Sequence, residues 1–153
     1  MIKEISFKNY FSFKEGATVS FLMNKKVPKE YYRVNNLTTV MGIKGANGSG
    51  KTNILRAIGF LSYFVTKSAD KDVGEPIYLD SYFRNSHPSE FLIEFISDNG
   101  TEYIYEVSVN DKQVLREKIS RKKVRKVEII YREGGKIVSC IKELEELNLF
   151  KFF

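Results

Sequence analysis

Hydrophobic and polar positions change their period along the chain. From Ile2 to Lys8, the apolar Ile2, Ile5 and Phe7 are broken by Lys3, Glu4 and Ser6, an imperfect alternation that predicts a half-buried strand. Glu15-Gly16 marks a turn, and Ala17 to Met23 predicts a second strand. Asn24 to Asn36 is polar and basic, contains Pro28, and is expected to be a loop. Leu37 to Ile43 is a β-rich apolar run that suits a buried strand. A glycine-rich turn, Gly45 to Gly50, follows. From Lys51 to Thr66, Ile54, Leu55, Ile58, Leu61 and Val65 recur at helical spacing. Lys67 to Pro76 is a charged loop. The period then returns to that of strands over Glu90 to Ile96, Thr101 to Val109, Gln113 to Ile119 and Val124 to Tyr131. The breaks are Asp98-Asn99-Gly100, Asn110-Asp111 and the basic stretch near Arg121, and Gly134-Gly135 predicts a further hairpin turn. Ile141, Leu144 and Leu147 give a last helical stripe. The expected fold class is α/β: a strand, loop and helix unit joined to an antiparallel β meander, without internal repeats.

Composition bounds the chemistry. At 153 residues and 42% apolar or aromatic, the chain can bury one core. One cysteine, Cys140, excludes an internal disulfide framework. One histidine, His87, excludes a Cys/His zinc centre, which needs about four ligands. A Ser-His-Asp or Cys-His nucleophile would have to run through His87 alone. No apolar run approaches a membrane span, and Met-Ile-Lys-Glu-Ile is not a signal peptide, so a soluble, cytoplasmic protein is expected. The net charge of +6 favours anionic partners, nucleotide or nucleic acid, without choosing between them. The ending Leu149-Phe150-Lys151-Phe152-Phe153 needs something to pack against, and a longer natural chain is expected.

Gly45-Ala46-Asn47-Gly48-Ser49-Gly50-Lys51-Thr52 fits G-x-x-x-x-G-K-[ST], the Walker A phosphate-loop pattern. Glycines let the backbone curl until successive N–H groups point at phosphate oxygens, and the following helix adds its positive N-terminal end. Lys51 is placed to reach the β- and γ-phosphates, and the Thr52 hydroxyl to ligate Mg²⁺. Asn53, at the start of the helix, belongs to the same candidate nucleotide site.

The form Gly-x-Asn-Gly-Ser-Gly-Lys-Thr resembles the ABC-ATPase superclass, especially the SMC, RecF and OLD-type ATPases. Asn9-Tyr10-Phe11-Ser12-Phe13 resembles the turn that those families carry ahead of the phosphate loop and beside the bound nucleotide. Asn9 and Ser12 carry over; the family's basic residue is Phe11 here. Tyr82-Phe83-Arg84-Asn85 and the strands around Asp98-Asn99-Gly100 are similar to prokaryotic AAA-family ATPases of the abortive-infection and phage-defence type. The resemblance implies that residues 1–153 are the N-terminal lobe of an ATPase head. With a C-terminal lobe, that head would bind and hydrolyse Mg·ATP and clamp into a head-to-head homodimer, with DNA or RNA and a nuclease or other effector as candidate partners.

Several elements of such a head are missing. Ile77-Tyr78-Leu79-Asp80 is the nearest Walker B candidate, and it lacks a following Glu. The one Gly-Gly pair, Gly134-Gly135, reads as a hairpin rather than an ABC signature. In the resembled families these elements lie in a C-terminal lobe, so little or no turnover is expected of this chain alone. Asn24-Lys25-Lys26-Val27 lacks the Asp of a GTPase base motif. The alternative reading is a nucleic-acid-binding module that uses the basic hairpin Lys118 to Lys126, with Lys118, Arg121, Lys122, Lys123, Arg125 and Lys126. The bland reading of that stretch is a solvated hairpin with cations guarding a strand edge. A complete small P-loop kinase is disfavoured, because the helix is followed by a meander rather than by parallel βα units. Arg84 is either an interface cation or a surface residue. His87 beside Pro88 reads as a loop residue, and Cys140 as a small buried apolar one.

Overall fold

The computed structural model describes residues 1–24, 26, 28, 36–67 and 75–142. Alternating in- and out-facing side chains build a seven-stranded antiparallel sheet in the order β2-β1-β3-β4-β5-β6-β7. The strands are β1 (Ile2–Lys8), β2 (Ala17–Ser20), β3 (Ser89–Ile96), β4 (Glu102–Val109), β5 (Val114–Lys122), β6 (Lys126–Glu133) and β7 (Lys136–Cys140). Among the described residues, the α-helix α1 (Lys51–Lys67) lies on one face.

The register sorts residues into two faces. One cross-sheet row is Phe7, Phe91, Val107, Glu117 and Arg132, and the next is Ile5, Ile93, Tyr105, Ile119 and Ile130. This face receives α1 through Ala57, Phe60, Leu61 and Phe64, which are spaced to share one side of a helix. Phe60 stacks on Phe91 at 4.8 Å between centroids, and Tyr10 meets Phe91 edge-on at 5.2 Å. The opposite face carries Ser6, Leu92, Glu106, Lys118, Tyr131 and Ser139 in one row. Lys3 pairs there with Glu94 and Glu102, and Lys118 with Glu128.

Four expectations need correction. Leu37 to Ile43 does not form a strand. Only Leu37 is buried, bridged to Leu22, and residues 38–44 run on without a strand partner, with Val40 81% exposed. An apolar, β-rich run forms a strand only beside a neighbouring strand, and among the described residues none flanks it beyond Thr38. The helix buries the expected stripe only in part: Ile54, Ile58 and Leu61 face the core and are joined by Ala57, Phe60 and Phe64, while Leu55 and Val65 are exposed, so α1 also carries apolar side chains away from the sheet. The basic stretch near Arg121 is not a break, since β5 continues to Lys122 and the turn falls at 123–125. Val124, expected within a strand, is 98% exposed at its tip. Ile77 to Asp80, the Walker B candidate, is irregular.

Beyond Gly134-Gly135, both with positive φ, the chain adds β7 as the hairpin turn predicted. The loops over 25–35 and 68–74, Lys25 and Val27 of the GTPase comparison, and the stripe continuing through Leu144, Leu147 and the Phe-rich end lie at least partly outside the described residues. No described helix is long and apolar enough to cross a membrane.

Candidate functional site

The sheet has two ends. Lys8, Ser89, Val109, Val114 and Glu133 mark the first, and Ile2, Ile96, Glu102, Lys122 and Lys126 the second. The glycine-rich loop is tied to the first end by the β1–β2 connection. Tyr10 and Phe13 exchange backbone hydrogen bonds of 3.0 and 2.9 Å, which closes a tight turn over Phe11 and Ser12. That turn grips the start of α1. Asn53 Nδ2 donates to Ser12 Oγ at 2.9 Å, and the Arg56 guanidinium sits 4.8 Å from the centre of the Phe11 ring. Phe13 lies against Gly50, where an added Cβ would stand 2.8 Å from the Phe13 ring. Gly50 is also at φ +91, so glycine is required there twice over.

Within the loop, Gly48 has φ +78 and Ser49 N–H donates to the Ala46 carbonyl at 3.2 Å. The Lys51 ammonium donates to the carbonyls of Gly45 at 2.8 Å and Ala46 at 2.6 Å. This folds the lysine back over the loop, with its charge held against the loop carbonyls. The first helical bond runs from Ile54 N–H to the Gly50 carbonyl at 3.1 Å, which leaves the N–H groups ahead of it without partners in the helix. No acidic residue occupies the first turn, so nothing there cancels the positive helix end. Asn47, Gly48, Ser49, Lys51 and Thr52 cluster in this exposed or half-exposed segment. The arrangement suits an anion with several oxygens. Thr52 contributes one hydroxyl, and no group of three carboxylate, His or Cys ligands exists among the described residues. A divalent ion would therefore take its other ligands from phosphate and water, the usual manner of Mg²⁺.

Asn9 is placed differently. Its side chain is buried, and Nδ2 donates to Asn85 Oδ1 at 2.9 Å and to the His87 carbonyl at 2.8 Å. Asn85 Nδ2 returns a bond to Asn9 Oδ1 at 2.7 Å, and Ser89 Oγ donates to the Asn9 carbonyl at 2.6 Å. Asn9 thus latches the turn to the loop before β3, while Ser12 faces the helix. Asn9, Phe11, Phe83 and Arg84 all have positive φ without being glycine, and all gather around this latch. Such residues cost of order 1–3 kcal/mol each and persist only where their surroundings hold them. Phe13, Arg56 and Asn85 were not singled out as site residues from sequence. Their signal was spacing alone, since Phe13 closes the Asn9-to-Phe13 motif and Arg56 follows Asn53 by one helical step.

Asp80, the Walker B candidate, accepts the Phe11 N–H through its backbone carbonyl at 2.9 Å. Its neighbourhood is a 460 Å³ cleft that also includes Tyr10, Phe11, Arg56, Tyr63 and Tyr78, along the side of α1. Burial, with help from the Asp80 charge and against the pull of Arg56, pushes the Tyr10 hydroxyl up to about 12. A larger concavity of 700 Å³ lies on the opposite sheet face, where Lys8, Arg116 and Lys118 are balanced by Glu15, Glu90 and Glu106.

Residues 40–148 match the family described as AAA domain, putative AbiEii toxin, Type IV TA system. The chain belongs to this AAA family. It is an AAA-family ATPase-like domain of the abortive-infection kind. The match takes in the glycine-rich loop, α1 and the meander, and it begins after the Asn9-to-Phe13 turn. No curated protein matches the chain.

Proposed function

We propose that this chain is the ATP-binding lobe of an ABC/SMC/OLD-like head domain, and that Gly45 to Thr52 cradles the phosphates of Mg·ATP. The carrying observation is the Lys51 ammonium held on its own loop carbonyls, at the open N-terminus of a helix without first-turn acids. Backbone N–H groups of Gly45, Ala46, Asn47, Gly48, Ser49 and Gly50 would receive phosphate oxygens. Lys51 would exchange carbonyl partners for the β- and γ-phosphates and offset the charge that develops on transfer, while Thr52 would hold the metal. Asn53 and Ser12 form the rim of the site, and Asn9 keeps the rim in place.

Hydrolysis would need a Walker B carboxylate and a signature segment from a second lobe. Two features support that reading: the unpaired apolar run after Leu37, and the outward Leu55 and Val65 of α1. A helix that is apolar on two sides is normally covered on both. In the intact head, ATP would close two copies face to face, and turnover would release them, in anti-phage defence or a related DNA transaction.

Calorimetric titration of Mg·ATP into the chain, beside Lys51→Ala and a GTP control, tests the proposal. The expected result is ATP binding that the mutant loses, without turnover. Binding that survives in Lys51→Ala, or no binding in a folded sample, would overturn this phosphate site as the seat of function.

A further inference from the structure

The sheet divides the six cations of the basic stretch into two sets. Three of them point to the polar face and are neutralised. Lys118 pairs with Glu128 at 3.1 Å, Lys126 with Glu106 at 3.3 Å, and Lys122 reaches Glu102 at 4.0 Å. These pairs lie on the polar face of the sheet. The other three, Arg121, Lys123 and Arg125, have no carboxylate partner among the described residues. Lys123 and Arg125 flank the fully projecting Val124 at the turn, and Arg121 lies on the opposite face from Lys122. Directly across from Arg121 stands Tyr103, half-buried and stacked on Phe95 with centroids 5.4 Å apart and planes 18° apart. The hairpin thus places three cations without carboxylate partners among the described residues beside an aromatic pair.

We infer that the β5–β6 hairpin tip, through Arg121, Lys123 and Arg125, is a docking surface for the phosphate backbone of a nucleic acid strand, with the Phe95–Tyr103 pair as its apolar floor. Three unpaired cations within five residues match the phosphate repeat of a polynucleotide, and aromatic surface beside them accepts bases without reading sequence. The tip projects from the second end of the sheet, whereas the glycine-rich loop is tied to the first. A strand length of roughly 25 Å separates the ends, so this surface is not part of the nucleotide site.

The test is fluorescence anisotropy of labelled single-stranded DNA and RNA titrated with the full chain over a series of salt concentrations. Two pairs of substitutions remove equal charge: Lys123→Gln with Arg125→Gln at the tip, and Lys112→Gln with Lys136→Gln at the other end of the sheet. All four residues are exposed, so both variants should fold, as circular dichroism would confirm. The tip pair should lower affinity by about tenfold or more and flatten the slope of log K against log salt by about 1.4, with the control pair near wild type. Adding Arg121→Gln should flatten it further. Lys51→Ala should bind the strand normally, which separates this surface from the phosphate loop. The inference fails if the wild-type chain binds neither strand at low salt, or if the control pair loses as much as the tip pair. Competition by polyglutamate as strong as by polynucleotide would also overturn it, by reducing the tip to a general cation patch.

Discussion

The two ends of the sheet turn the chain by opposite means. At the first end, the β1–β2 connection and the approach to β3 pass through Asn9, Phe11, Phe83 and Arg84 at positive φ, held by the paired amides of Asn9 and Asn85. At the second, β5 turns into β6 through Lys123, Val124 and Arg125 with no residue in that region of φ, and ordinary ion pairs hold the strands. The first end is over-determined. Several buried polar groups must be satisfied together, and the glycine-rich loop is anchored to the result. The second end is built from separable surface contacts. Strain concentrated beside the candidate phosphate site, and absent from the exposed hairpin, fits a rigid cradle at one end and an adaptable surface at the other.

The contrast can be broken most forcefully at the core that joins α1 to the first end. Phe60→Ala removes the ring stacked on Phe91 and Phe64 and should cost about 3–5 kcal/mol in chemical denaturation. A loss below 1 kcal/mol would mean that α1 is not held by this ring cluster. Next comes the latch. Asn9→Ala removes a buried amide and leaves the half-buried Asn85 Nδ2 without its Asn9 partner, and should cost about 1–3 kcal/mol. It should also weaken ATP binding, since the turn it anchors touches Gly50 and Asn53. An unchanged stability would show that the strained turn holds itself.

Alkaline unfolding sharpens the comparison on the side of the core. Burial raises the Tyr10 hydroxyl to about 12, and burial with the Glu117 charge raises Tyr105 as well. Both protons are held more tightly in the folded chain than in the unfolded one. That stability is therefore complete below the ordinary tyrosine range near 10 and is lost as pH rises through the folded values. Tyr10→Phe should flatten the decline between pH 10 and about 12, read as the denaturation midpoint against pH. A slope identical to wild type would remove Tyr10 as its source.

The smallest effect is expected at the second end. The Glu128 carboxyl is held below its ordinary value by the Ser139 hydroxyl first and Lys118 second. Its contribution is present above the ordinary carboxylate range and fades as pH falls through the lowered folded value. The group is largely solvated, so Ser139→Ala should cost less than about 1 kcal/mol. A larger loss would mean that the hairpin end is as tightly coupled as the latch, and the contrast between the ends would fall.

Much of this was legible in the residues. The meander was readable because period-two alternation over β3 to β6 is enforced by one buried face, and the turns carry Asn, Asp and Gly at the positions that need them. The helix start was readable from Gly50-Lys51-Thr52, because glycine spacing and helix onset are local chemistry. The run from Leu37 to Ile43 was misread for the converse reason. Apolar content reports a wish for burial, whereas a strand needs a neighbour, and the neighbour is a tertiary fact. The basic stretch near Arg121 reads as a break because a run of like charges looks solvated until Glu128, Glu102 and Glu106 are brought alongside Lys118, Lys122 and Lys126.

The sequence by itself determined the meander strands, the helix start and the candidate phosphate loop, because backbone freedom at glycine, side-chain period and charge type act within a few residues. The tertiary structure alone decided that Asn9 serves as a latch while Ser12 faces the helix. It also decided which face of α1 meets the sheet, and that three cations of the hairpin are paired while three have no carboxylate partner among the described residues. Those outcomes depend on partners outside the local stretch of chain, such as Asn85 for Asn9, 76 residues on, and Asn53 for Ser12, 41 residues on. No local pattern encodes a partner that distant; only the register of the sheet brings it within hydrogen-bonding reach.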